Sequence, residues 1–440
     1  MKMNLTESKE ELEVIAEFPQ VCSLQAPSKL EDLGLSEIFL AQLALKHCFY
    51  IEVFTLRDLG DRLKINVAII TELVDYLVQE KCVEVRGADT RQVRGNVFGF
   101  SNRYALTEEG KRRASQLMEY DSYVGPTPVN LENYWEQVTA QSIQSSEHSM
   151  DDLQRAFQGL VIPLDILEQL GPALMGGKSI FLYGPSGNGK TSIALRMAKI
   201  WKDAILIPYA LYVEGHVIPI FDKINHDPVA KTAKESESGD RRWVLCHRPC
   251  LVVGGELTLR MLDLEYNPIL KYYGAPLQLK ANNGIFVVDD FGRQQISPQH
   301  LLNRWIMPLE NRQDFLSLNT GQKFGIPFDQ LLVFATNLEP EKLMDPAFLR
   351  RIRAKIKVRN PDRSQFKEIF RLTCELYKLA FDEEAVEYLL DQYYDEINRP
   401  MSACHPRDLV EQILDHCRFH KIPPKLTKEN LTRICRVYFI

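Results

Sequence analysis

Residues 179–192 read Ser-Ile-Phe-Leu-Tyr-Gly-Pro-Ser-Gly-Asn-Gly-Lys-Thr-Ser, and their spacing by itself specifies a chemistry. Gly184, Pro185, Ser186, Gly187, Asn188, Gly189, Lys190 and Thr191, followed by Ser192, fit G-x-x-x-x-G-K-[ST] at every fixed position. Glycines at those positions let backbone N–H groups turn inward around phosphate oxygens, and a helix N-terminus adds its positive end. Lys190 is expected to reach the β- and γ-phosphates, and the Thr191 hydroxyl to hold Mg²⁺. A further set of chemical residues lies in Gly284-Ile-Phe-Val-Val-Asp-Asp, roughly 100 residues on. Four apolar residues there deliver two carboxylates to a strand end. Asp289 is placed to accept Mg²⁺-bound waters, and Asp290 stands where a water-activating carboxylate is needed. A nucleotide with Mg²⁺ is the expected ligand.

These groups need strands and helices to position them. Ile180 to Tyr183 read as a buried parallel strand, and Ile193, Met197, Ile200 and Trp201 at helical spacing read as the helix after the loop. Leu331-Leu-Val-Phe-Ala-Thr is another apolar strand, ending in Asn337. Met150 to Leu170 reads as a helical lead-in. Ala204–Pro208 and Val217–Phe221 read as strands, and residues 228–242 as a charged, mobile insertion. Phe315 to Phe324 reads as a hairpin with a Thr-Gly turn.

With Asp345-Pro-Ala-Phe-Leu-Arg-Arg-Ile-Arg and the later His405-Pro-Arg-Asp-Leu, the chain from residue 150 to 440 resembles the AAA+ ATPases. The resemblance implies that Asn337 orients the attacking water. It also implies that Arg350 and Arg353 reach the γ-phosphate of a neighbouring subunit, with Arg351 between them a further candidate. Arg407, in a helical lid, would contact phosphate in its own subunit. Guanidinium suits these roles because it is always charged and spreads its donors over phosphate oxygens. Arginines supplied by a neighbour imply a homo-oligomeric ring, a hexamer by resemblance. The hairpin and the insertion before Asp289 are similar to the branch containing MoxR-like ATPases and enhancer-binding activators, although the loop signature G-A-F-T-G-A is absent. Asp290 departs from the glutamate usual in the family and is one methylene shorter.

Upstream, Ile38, Phe39, Leu43, Ala44 and Cys48 form one helical face. Thr55 caps a short helix, and Ile69, Ile70, Leu73, Val74, Leu77 and Val78 line another over about residues 66–80. Cys82–Gly87 and the stretch from Arg103 read as strands around a basic loop, and Thr107 caps a helix over 108–118. This order resembles a winged helix-turn-helix domain. A DNA reader should bring Arg, Lys, Asn or Gln to base edges and phosphates. The second helix of the pair has no basic residue before Lys81, acids outnumber bases over residues 1–120, and only the wing (Arg86, Arg91, Arg94, Arg103) is basic. Docking of a protein client is therefore favoured over DNA, and an ATP-switched DNA-binding regulator is the alternative.

The expected architecture is an α/β P-loop AAA+ nucleotide domain with a parallel sheet, an all-helical C-terminal lid and an N-terminal winged-helix (α+β) domain. The expected divisions are a flexible tail (1–25), a winged-helix-like domain (26–120), a linker (121–149), the nucleotide-binding domain (150–357) and the lid (358–440). A length of 440 residues, 45% apolar and 25% charged, is ordinary for a globular protein of two or three domains. A net charge of −6 gives no global reason to bind nucleic acid or an acidic membrane. No run approaches the roughly 18 apolar residues of a membrane span, and the N-terminus lacks a signal-peptide core. Nine scattered cysteines suit reduced thiols in the cytoplasm. Cys246, His247 and Cys250, and the group Cys404, His405, His416, Cys417 and His420, lack paired C-x₂-C spacing and read as strand and helix positions instead of zinc ligands. Tyr272-Tyr273-Gly274 has the look of a pore loop but lies close to Asp289 and reads as a buried aromatic pair.

Overall fold

The computed structural model describes residues 24–89, 101–177, 179–229, 239–343 and 349–439. The tail up to residue 23, wing residues Arg91 and Arg94, residues 230–238 of the charged insertion, and Asp345 to Phe348 lie outside them. The chain forms two compact units. One comprises the described residues up to Gln137 with Trp201–Arg248 and Asn267–Tyr273, and the other Val138–Ile200, Pro249–Tyr266 and Gly274 onward.

In the first unit the helices start where side-chain caps allow. Ser36 accepts from the backbone of Phe39 ahead of Glu37–Phe49, Thr55 and Asp58 form a reciprocal capping box ahead of Leu56–Leu63, and Asn66 caps Val67–Gln79. Strands Val83–Asp89 and Ser101–Leu106 pair antiparallel, and Thr107 accepts from Gly110 N to open Glu108–Tyr120. Phe54 adds a short third edge by exchanging backbone bonds with Tyr104 at 3.0 and 2.9 Å. Leu40, Leu43, Ala44, Leu59, Ile69, Ile70, Leu73 and Val74 make the core.

Ala210 and Val217 join that same apolar cluster. They lie on strands Ala210–Val213 and His216–Pro219, which pair antiparallel, and Val129–Asn130 adds in parallel. Ala204–Pro208 pairs with Trp243–His247. Fully buried Arg242 is matched by Asp240, whose carboxylate accepts from Nε (3.1 Å) and Nη2 (2.8 Å). Tyr273 is buried with its ring 5.2 Å from His216, whereas Tyr272, read with it as a buried pair, is only half-buried, 6.1 Å from Tyr123. Residues 121–130 are pinned down: Lys46 Nζ donates to Asp121 Oδ2 (2.9 Å), Tyr123 OH to Pro126 O (2.7 Å) and Thr127 N to Leu63 O (2.9 Å). The remainder of the span read as a linker carries a helix, Leu131–Ala140, and buries Tyr134, Val138 and Ile143.

The second unit is built on a five-stranded parallel sheet in the order Ala354–Lys357, Ser179–Tyr183, Leu331–Thr336, Ile285–Val288, Cys250–Val253. The three inner strands are almost wholly buried, which is why they read as continuous apolar runs. Phe286, Phe291, Trp305 and Phe334 pack edge-on at 4.9–6.0 Å on one face. The lead-in is two helices, Met150–Ala156 and Leu164–Gly176, broken where Gly159 adopts φ 83° and Pro163 precedes the second. The expected hairpin forms, Gln313–Ser317 against Lys323–Pro327, with Gly321 at φ 86° in its turn.

Among the described residues from 362 on, the regular elements are all helices. Arg363–Leu376, Glu383–Leu390, His405–His420 and Lys428–Tyr438 enclose Phe366, Phe370, Leu389, Tyr394, Val410, Ile413 and Leu431. The parallel sheet with its strand–loop–helix at residues 179–197 and the all-helical C-terminal region are the α/β architecture that the sequence led us to expect.

Candidate functional site

The site lies at the carboxyl ends of three adjacent inner strands, where parallel α/β sheets place their ligands. The strand ending in Asn337 runs between the phosphate-loop strand and the acidic strand, so residues nearly 150 apart in sequence meet. Gly184, Gly187 and Gly189 have φ of 138°, 79° and 77°, conformations that L side chains avoid and that turn the loop's N–H groups inward. A Cβ on Gly184 would lie 2.1 Å from the Val358 carbonyl oxygen.

Lys190 begins the helix Lys190–Met197 and is only 7% exposed. Its ammonium donates to Gly184 O (3.0 Å), Pro185 O (2.8 Å) and Asn337 Oδ1 (2.5 Å). Burial lowers its pKa, while the charges of Asp289 and Asp290 oppose that shift. Thr191 Oγ1 donates to Asp289 Oδ2 at 2.8 Å. A hydroxyl and a carboxylate this close can share one octahedral Mg²⁺, directly or through its waters. Asp290 is exposed with φ 47°, and its N–H donates to Asp289 Oδ1 (3.0 Å). Thr336 braces this turn by donating to Phe291 O (2.6 Å).

The helical region closes on the loop. Asn188 is 6% exposed; its Oδ1 accepts from Ala403 N (3.1 Å) and its Nδ2 donates to Asn360 Oδ1 (2.6 Å). A Cβ on Gly187 would strike Ser402 Oγ at 2.5 Å and Cys404 Sγ at 2.6 Å. Beside them is a cleft of about 380 Å³ between Pro185–Gly187, Asn360 and residues 399–405.

The structure thus brings together Gly184 to Thr191, Asp289, Asp290 and Asn337, while the arginines go elsewhere. Arg350 and Arg353 are exposed, and Arg351 is half-buried against Glu310 at 2.6 Å. Arg407 is 61% exposed with Asp408 3.8 Å away, and it does not line the cleft. Arg399 does line it, with its guanidinium 4.0 Å above the Phe439 ring. Sequence reading passed over Arg399, and Asn-Arg-Pro before Met401 was the available turn signal.

Residues 362–437 match a family described as a domain of unknown function (DUF8689). No curated protein matches the chain. Among solved structures, the chain is similar to the Thermotoga maritima RuvB Holliday junction branch migration motor, at 14% identity and a TM-score of 0.36, over 63% of this chain and 69% of that one. It is also similar to domain III of the Thermotoga maritima replication initiation protein DnaA, at 12% identity and a TM-score of 0.38, over 64% of this chain and 96% of that one.

Proposed function

We propose that this chain is a Mg²⁺-dependent ATPase of the AAA+ type that works as a homo-oligomeric ring and remodels a protein client. The observation that carries the reading is the pair of contacts across three strand ends, Lys190 to Asn337 and Thr191 to Asp289. Each joins groups that a triphosphate and its metal would bridge.

In this reading Lys190 exchanges its carbonyl partners for phosphate oxygens, and the inward N–H groups of Gly187 to Thr191 hold the rest of the phosphate chain. Thr191 and Asp289 would hold Mg²⁺, which supplies neutralisation of charge on the phosphoryl oxygens. Asn337 and Asp290 orient and polarise the attacking water. The exposure of Arg350 and Arg353 supports their delivery to a neighbour's γ-phosphate, whereas Arg351 is engaged by Glu310. Arg399 is better placed than Arg407 to face the loop from the lid side.

The N-terminal elements act as a winged-helix module that recruits the client. The exposed face of Val67–Gln79 carries Glu72, Asp75 and Tyr76 and has no lysine or arginine, which supports a protein surface as partner over a duplex. Buried thiols at Cys48, Cys374, Cys417 and Cys435 suit a reducing compartment such as the cytoplasm, and no helix among the described residues is long and apolar enough to cross a membrane. The test is ATP turnover by wild type, Lys190→Ala and Asp290→Asn. We expect Lys190→Ala to lose ATP binding, and Asp290→Asn to bind ATP while turnover falls by about 100-fold or more. A wild-type protein that assembles and binds ATP without hydrolysing it would sink the ATPase reading.

A further inference from the structure

The acidic strand does not end freely. Its outer neighbour, Cys250–Val253, runs into Gly254, and one side chain ties the two strand ends together. Gln294 Nε2 donates to Gly254 O (3.2 Å) and Asp289 O (3.1 Å) and lies 3.4 Å from Asp290 O. Its Oε1 accepts from Gly292 N at 2.8 Å. The Gly254 peptide is also gripped on its other side, since its N–H donates to Glu256 Oε1 at 2.9 Å. That backbone bond holds the Glu256 carboxyl below the usual carboxylate range. Between these anchors Asp290 sits in the left-handed region, at φ 47°.

We propose that Gln294 is a positioning residue for hydrolysis, acting through the backbone of Asp289 and Asp290; this rests on the ATPase reading above. The argument turns on reach. A glutamate has an extra torsion with which to place its carboxylate after small backbone shifts, and an aspartate has not. With aspartate at position 290, the backbone decides where the carboxylate lies. The two N–H donors of Gln294 join the Asp289 carbonyl to the neighbouring strand end at Gly254, with the Asp290 carbonyl 3.4 Å away. Removing its amide frees this turn to drift, and misplacement by about 1 Å can cost on the order of 100-fold in rate.

The experiment compares the full-length wild type with Gln294→Met, which keeps the volume and drops the hydrogen bonds, and with Gln294→Glu. Turnover, affinity for a fluorescent ATP analogue and melting temperature are measured for each. For Gln294→Met we expect kcat to fall about tenfold or more while affinity stays within about twofold. Adding Asp290→Glu to Gln294→Met should restore much of the lost kcat, because the longer side chain tolerates the looser turn. Gln294→Glu puts an acceptor where the amide donated to two carbonyl groups, so its kcat should fall at least as far as that of Gln294→Met. An unchanged kcat in both variants, with wild type active, overturns the proposal. So does a loss of affinity and melting temperature in step with kcat, or no recovery with Asp290→Glu. If wild type binds ATP but does not turn it over, the ATPase reading fails and takes this one with it.

Discussion

His47 shows how one buried atom can make stability depend on pH. Its Nε2 lies 2.8 Å from Gly125 O, which requires the proton on that nitrogen, and its buried Nδ1 has no hydrogen-bond partner among the described residues. Burial pushes its pKa down, and the charges of Arg62 and Lys46 push the same way. The folded protein therefore keeps His47 neutral, while the unfolded chain takes up a proton near the ordinary value of about 6.5. Its contribution is fully present above that value and is lost as pH falls below it. The melting temperature should drop between about pH 7.5 and pH 5.5, and His47→Gln should flatten that slope. The same pattern, one short-range group with long-range partners, explains what was legible at this scale. Lys190, Thr191 and Asp289 were readable because each sits at a fixed offset within a motif, and Asn337 only through the family resemblance. Gln294, Arg399 and the grip of Asn188 on Asn360 and Ala403 were not, because nothing in their local spacing announces partners up to 215 residues away.

Among the elements, boundaries followed local chemistry where caps and glycines were present. Thr55 and Thr107 cap the helices they were expected to cap, and Asn66 caps a third. Gly110 adds a constraint that helix propensity cannot show. A Cβ there would sit 2.0 Å from the Cys82 carbonyl oxygen, because the helix Glu108–Tyr120 crosses the strand start in close contact. We expect Gly110→Ala to destabilise the protein by about 2–4 kcal/mol despite alanine's better helix propensity. Thr107→Ala, which removes only a cap, should cost about 1 kcal/mol. Denaturant unfolding of the two variants checks the order. The break in the lead-in helix at Gly159 was missed because the apolar spacing continues across it, while the left-handed turn and Pro163 interrupt the backbone.

For the whole molecule, the decisive question is whether Arg350 and Arg353 serve another subunit. Both are exposed, and neither lies in its own subunit's phosphate-loop cleft. A doubly substituted Arg350→Ala, Arg353→Ala protein should therefore bind ATP normally yet turn it over at least about 100-fold more slowly. Lys190→Ala should be inactive for the opposite reason. Mixing the two inactive proteins should restore part of the activity, since arginines from one copy can complete the intact pocket of the other. Turnover of the mixture that equals the sum of the two parts would exclude a shared site.

Sequence alone determined the phosphate loop, the acidic strand end, the caps and the helical C-terminal region, since each follows from residues within a few positions of one another. Tertiary structure decided three things. It set the Asn337 strand between the other two, packed residues 201–248 onto the N-terminal core through Ala210 and Val217, and put Arg399 in place of Arg407 at the cleft. These outcomes depend on which buried faces meet after long loops close. The entropy of closing such loops varies only slowly with length, so sequence separation says little about which strands become neighbours.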